Sequence, residues 1–130
     1  MLKIVLFGNP ITKKNHPRIV QKKLKGGKTF PIVLPSESYK KYEDSVKQYI
    51  PNLETPIDYP INLCCHYYLE TRRKTDLTNL LQATCDILVK YNILSDDNYS
   101  IVSSFEGTKA EYCKENPRVE IEIEKKTTNL

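Results

Sequence analysis

No apolar run in this 130-residue chain approaches the length that spans a bilayer, which argues against a membrane protein. Four cysteines are present, Cys64, Cys65, Cys85 and Cys113, but none form a C-x-x-C pair, so their spacing argues against a zinc ribbon. They read instead as buried free thiols of a reducing compartment. No Walker-type glycine cradle and no G-x-S-x-G occur, which removes the usual signatures of phosphate-loop and serine-hydrolase chemistry. Internal repeats and low-complexity tracts are missing as well. The opening MLKIVLFGNP lacks a basic n-region and a small-residue cleavage site, so it reads as a first strand; the expected location is cytoplasmic. Acids, too, are absent from one stretch: residues 13–28 contain none.

That same stretch carries Lys13, Lys14, Arg18, Lys22, Lys23, Lys25 and Lys28. A block of one sign suits a polyanion, or else is a solvated lysine-rich loop. The formal net charge of +4 says little by itself. A second basic group, Arg72, Arg73 and Lys74, weights the reading towards a polyanion. At 39% hydrophobic and 28% charged residues, the composition is that of an ordinary globular domain, and the chain is expected to form one domain over residues 1–130.

Leu2–Phe7 is a short apolar run closed by the turn signal Gly8-Asn9-Pro10. Gly26-Gly27 marks a hairpin tip or a loop between extended pieces at residues 18–20 and 29–33. Ser36 or Ser38 can cap a helix over residues 39–50, stopped by Pro51, with its tyrosines read as packing residues. Residues 61–69 (INLCCHYYL) read as a strand in which Cys64 and Cys65 face opposite ways. A helix over residues 77–91 presents Leu77, Leu80, Leu81, Thr84, Leu88 and Tyr91 on one face and Thr78, Asn79, Gln82 and Asp86 on another. Residues 99–105 and 118–124 read as strands, the second alternating Val119, Ile121 and Ile123 with charges. The expected fold is α+β: a small mixed sheet of about four strands with two helices on one face, plus a basic N-terminal loop or hairpin.

Chemistry concentrates in residues 72–98, RRKTDLTNLLQATCDILVKYNILSDDN. Carboxylates that take a hard divalent cation stand there beside cations that take phosphate, which is what a metal-dependent nuclease needs. Asp76 is either a helix cap or a metal ligand, and Thr75 is an alternative cap. Asp96-Asp97-Asn98 is either a surface turn or, if the chain doubles back after the helix, the other half of a Mg²⁺ site. Asp86 stands ten residues after Asp76, about 15 Å along a continuous helix, so these two cannot share an ion. It can pair with a base, line the same groove or meet a second subunit. Asn79 and Gln82 are candidate polar contacts to DNA. His66 reads as a packed histidine; His16 lies in the basic loop.

The ordered set Asp76-Leu77-Thr78-Asn79-Leu80, then Asp86, then Asp96-Asp97 resembles the RusA family of Holliday junction resolvases, small and often phage-encoded endonucleases. The opening Gly8-x-Pro10 followed by Lys13-Lys14 is similar to theirs too. The resemblance covers nearly the whole chain. It implies a homodimeric Mg²⁺-dependent enzyme, with Mn²⁺ as an alternative ion, that binds four-way junction DNA and nicks two strands symmetrically in recombination and repair. It also implies Asp76 and Asp97, with Asp96, as metal and catalytic residues. Lys13, Lys14, Arg72, Arg73 and Lys74 are then the expected phosphate contacts. Two positions depart from the family pattern: Thr78 stands where many members carry a second aspartate, and Gln82 where many carry a lysine. A non-catalytic junction-binding or RNA-binding protein, using exposed aromatics such as Tyr67 or Tyr68, is the competing expectation.

Overall fold

A computed structural model describes residues 1–13, 18–34 and 36–127. Its elements run β1 (Leu2–Phe7), β2 (Arg18–Lys23), β3 (Thr29–Leu34), α1 (Glu37–Val46), β4 (Ile61–Leu69), α2 (Leu77–Lys90), β5 (Val102–Ser104), β6 (Lys109–Tyr112) and β7 (Arg118–Lys125). A single 3₁₀ turn, Lys47–Tyr49, extends α1. The main sheet is mixed. Strand β7 lies between β1 and β4, antiparallel to both, and the other edge of β4 is lined by β5 and then β6, both parallel to it. This is an α+β fold with five strands where about four were expected, because two short strands share one edge. Between them the Thr108 side chain bridges the gap: its hydroxyl accepts the Cys65 N–H at 3.2 Å. The pair β2–β3 forms a separate antiparallel hairpin, with Gly26 and Gly27 at positive φ in its tip. Lys22, Lys23, Lys25 and Lys28 are exposed on it.

Strand periodicity sets the layers. Along β4, Ile61, Leu63, Cys65 and Tyr67 are buried while Asn62, Cys64, His66 and Tyr68 alternate on the wetter face. Strand β7 repeats the pattern with Val119, Ile121 and Ile123, and β1 adds Ile4 and Leu6. These residues form one core with Tyr42 and Val46 of α1 and Leu80, Ile87 and Leu88 of α2. Each such side chain contributes about 1.5–3 kcal/mol by leaving water. Leu77, expected on the apolar face of α2, is instead 37% exposed at the first position of the helix. The expected strand at residues 99–105 shrinks to Val102–Ser104: Asn98 O accepts the N–H groups of both Ile101 and Val102, which curls the chain into a turn first.

The end of α2 decides where the acidic residues go. Asn92 sits at φ 62°, the left-handed conformation that asparagine tolerates. Asn92 N–H reaches Val89 O at 3.1 Å and Ile93 N–H reaches Leu88 O at 2.9 Å, the paired bonds of a Schellman stop. Ile93 and Leu94 are buried, Ser95 N–H bonds Ile57 O, and the chain is thereby turned back along the helix it has just left.

Candidate active site on the polar strip of α2

Helix α2 buries Leu80, Ala83, Thr84, Cys85, Ile87 and Leu88, and its opposite face carries the polar residues. Asp76, Asn79, Gln82 and Asp86 follow one another at three- and four-residue steps and form a continuous polar strip. Asp76 occupies the N-cap position but makes no side-chain cap bond. Its Oδ2 accepts the Asn79 side-chain amide at 3.3 Å. Farther along, the Gln82 amide donates to Asp86 Oδ1 at 3.0 Å and to Asp97 Oδ2 at 3.4 Å. Lys13 Nζ lies 3.0 Å from Asp86 Oδ2 and 5.5 Å from the centre of the Tyr39 ring.

Asp97 arrives at this strip because its turn is tied together locally. Asp96 Oδ1 accepts the Asp97 backbone N–H at 2.7 Å, and Asp96 Oδ2 accepts the Asn98 amide at 3.1 Å. These bonds stabilise the ionised form and hold the Asp96 carboxyl below its ordinary range. Asn98 in turn accepts the Ser100 N–H at 3.0 Å. Asp96 shapes the turn and Asp97 is the carboxylate it extends towards α2. Cys85, buried beneath, registers both neighbours: burial first, then the charges of Asp97 and Asp86, push its thiol up to about 12. At neutral pH it stays protonated.

The basic triplet divides. Arg72 stacks on the Tyr112 ring with 4.2 Å to its centre. Arg73 and Lys74 turn towards the N-terminal segment, where Asn9 Oδ1 accepts the Glu70 N–H at 2.9 Å. Lys14 and His16 lie outside the described residues. His66 is held between Glu111, 2.5 Å from Nε2, and Tyr68, whose hydroxyl is 3.1 Å from Nδ1; it is a packed histidine on the face away from the helices.

The structure therefore gathers Asp86, Asp97, Gln82 and Lys13 by direct contact, and sets Asp76 with Asn79 on the same strip. No contact joins Asp76 to Asp96 or Asp97. Among the described residues no group of three or more His, Cys, Asp or Glu is close enough to hold a metal ion. Mg²⁺ sites in general bind through one or two carboxylates and complete their shell with water and substrate phosphate. Two features escape a reading of the chain alone: the Lys13–Asp86 ion pair and the Asn9 tether. The only linear signal for the latter is Asn9-Pro10 closing a strand. Among the described residues no helix is long and apolar enough to cross a membrane.

Against known proteins, the family model for endodeoxyribonuclease RusA matches residues 8–124. That span runs from the turn after β1 to the penultimate residue of β7 and contains the whole strip. No curated protein matches the chain significantly.

Proposed function

Since the chain belongs to the RusA endodeoxyribonuclease family, we propose that it is a Mg²⁺-dependent endonuclease that resolves four-way DNA junctions by paired symmetric nicks. Asp76 and Asp97 are the proposed ligands, with Asp96 as an outer group through its remaining lone pairs. When bound, the ion would lower the pKa of a water and stabilise charge developing on the scissile phosphate. The observation that supports this most is the return of Asp97 along α2 to within hydrogen-bonding distance of Gln82. A carboxylate carried back to a strip that already bears Asp76 and Asp86 makes a concentrated negative field, which favours a small cation. Gln82 orients Asp97, and Lys13, held by Asp86, offsets part of that field and faces an incoming phosphate. Arg73 and Lys74 position flanking phosphates without reading sequence. Two symmetric cuts require two sites related by a two-fold axis, so the working form is a homodimer.

The test is a synthetic four-way junction with purified protein in Mg²⁺. Paired nicks are expected, and Asp97→Asn should remove them while metal-free junction binding persists. Tight binding with no nicking by the unaltered protein would leave a junction-binding protein and no enzyme. That second reading draws on Thr78 and on the lack of a third gathered carboxylate among the described residues.

A further inference from the structure

The β2–β3 hairpin forms a sheet of its own, and no acid occurs in the sequence from residue 10 to residue 36. Its strands are six residues each, paired from Arg18–Leu34 out to Lys23–Thr29. Side chains alternate between the two faces of the ribbon, so Ile19, Gln21 and Lys23 share a face with Val33, Pro31 and Thr29. Every residue of that face is exposed. Ile19 and Val33, directly opposite each other, are 72% and 70% exposed. On the other face Phe30, Ile32 and Leu34 are half-buried. An apolar cross-strand pair left in water adds little to a two-stranded hairpin, which is marginal by itself. Along the exposed face the chemistry changes from apolar at Ile19–Val33 to cationic at Lys23, about 13 Å farther out at strand rise. Lys22, Lys25 and Lys28 are exposed at the same far end. The root lies at the acidic strip. Before the hairpin, Lys13 Nζ is 3.0 Å from Asp86 Oδ2; after it, Ser36 caps the helix whose Tyr39 ring is 5.5 Å from that same Nζ. Both flanks of the hairpin therefore meet beside Asp86, with the apolar pair one residue beyond the root pair.

Apolar residues near the strip and lysines beyond it fit one occupant, DNA with a branch. We propose that Ile19 and Val33 form a wedge that packs on the base-pair faces a branch uncovers, while the lysine end of the hairpin follows an arm away from it. In unbroken duplex each base pair is covered on both faces by its neighbours, and apolar side chains reach it only by unstacking it. The pair therefore tells a branch from a duplex, which phosphate contacts, offered by both, do not. This inference rests on the nuclease reading for its polyanion, and adds the residues that set the choice of DNA structure.

The experiment measures binding of the full-length protein, in chelator, to a synthetic four-way junction and to linear duplex of the same total length. Ile19→Thr with Val33→Thr keeps β-branched residues in both strands and removes their apolar reach. Junction binding should weaken at least about tenfold, with duplex binding unchanged. Ile19→Val with Val33→Ile should keep the preference for the junction. A 2-aminopurine base at the branch should brighten when the unaltered protein binds and stay dark with the threonine variant; the same base far along an arm should stay dark with both. Lys22→Gln with Lys23→Gln should weaken binding to both DNAs alike and flatten their salt dependence. Equal losses on junction and duplex in the threonine variant would overturn the proposal, as would no loss on either. Sedimentation of the free protein and flotation with anionic phospholipid vesicles can overturn it too. An oligomer that dissociates in the threonine variant makes the pair a subunit contact, and vesicle binding that needs the pair makes it a membrane contact. Nicking in Mg²⁺ is read separately. An active enzyme whose threonine variant keeps its full branch preference sinks the wedge alone. A branch preference that depends on the pair, in a protein that never nicks, keeps the wedge and removes the enzyme.

Discussion

Helix α1 starts on Ser36, whose hydroxyl accepts the Tyr39 N–H at 3.1 Å, whereas α2 starts on Asp76, whose carboxylate accepts no backbone N–H and takes the Asn79 side chain instead. Both residue types are favoured caps. Ser36 is buried and has only structural partners, since its neighbour Ser38 completes the local bonding. Asp76 is exposed, opens a strip of polar side chains and leaves its carboxylate oxygens largely unengaged. A strong cap residue that does not cap is the kind of local inconsistency that marks a working site, because folding alone gains less from it than the residue could supply.

The largest test of this contrast is catalytic. Asp76→Asn keeps the shape and the capping potential and removes the charge. Nicking should fall at least ~100-fold, about 2.7 kcal/mol at 1.36 kcal/mol per decade. Cleavage that survives the change would make Asp76 a spectator. Next come the two stabilities in urea. Ser36→Ala should cost about 1 kcal/mol, and as a buried cap it belongs towards the upper part of the 0.5–2 range. Asp76→Ala should cost only the attraction of a carboxylate for the helix N-terminus, about 0.3–1 kcal/mol, and that loss should fade at high salt while the Ser36 loss does not. Equal, salt-independent costs at the two positions would erase the difference between the helices.

The smallest expected effect is in the acidic turn. The Asp96 carboxyl is held below its ordinary value by the Asp97 N–H and the Asn98 amide. A depressed carboxyl stabilises the turn above the unfolded value near 3.9 and loses that contribution as pH falls through the lowered folded value. Amide shifts of residues 96–98 should therefore stay constant from neutral pH down to about 4 and move together below it. Movement beginning well above that value would detach Asp96 from the turn.

Much of this architecture is legible in the chain because it rests on periodicity. The alternation in β7, the apolar face of α2 and the glycines at the hairpin tip each report a local rule. Strand β6 is different. All of its residues, Lys109 to Tyr112, are exposed, so it has no buried face to reveal itself by alternation; only its pairing with β4 makes it a strand. The site divides the same way. Asp76, Asn79, Gln82 and Asp86 can be placed on one strip by counting, since a helix fixes their spacing. Lys13 meeting Asp86, and Asn9 tying down the exit of β4, depend on two segments far apart in the chain packing together, and no local pattern encodes that. Asp97 is intermediate: its return past the helix depends on Asn92, an asparagine suited to the left-handed stop but not diagnostic of it.

The Schellman stop and the Ile57–Leu94 bridge anchor one end of the acidic loop, and the Asn98–Val102 bonds anchor the other. Between them the loop works as a ruler. One residue inserted between Leu94 and Asp96 would leave the core and every side chain of the strip as they are, yet it would carry the Asp97 oxygens past Gln82. With Asp97 as the proposed ligand, backbone length in that short arc matters as much as the identity of its acids.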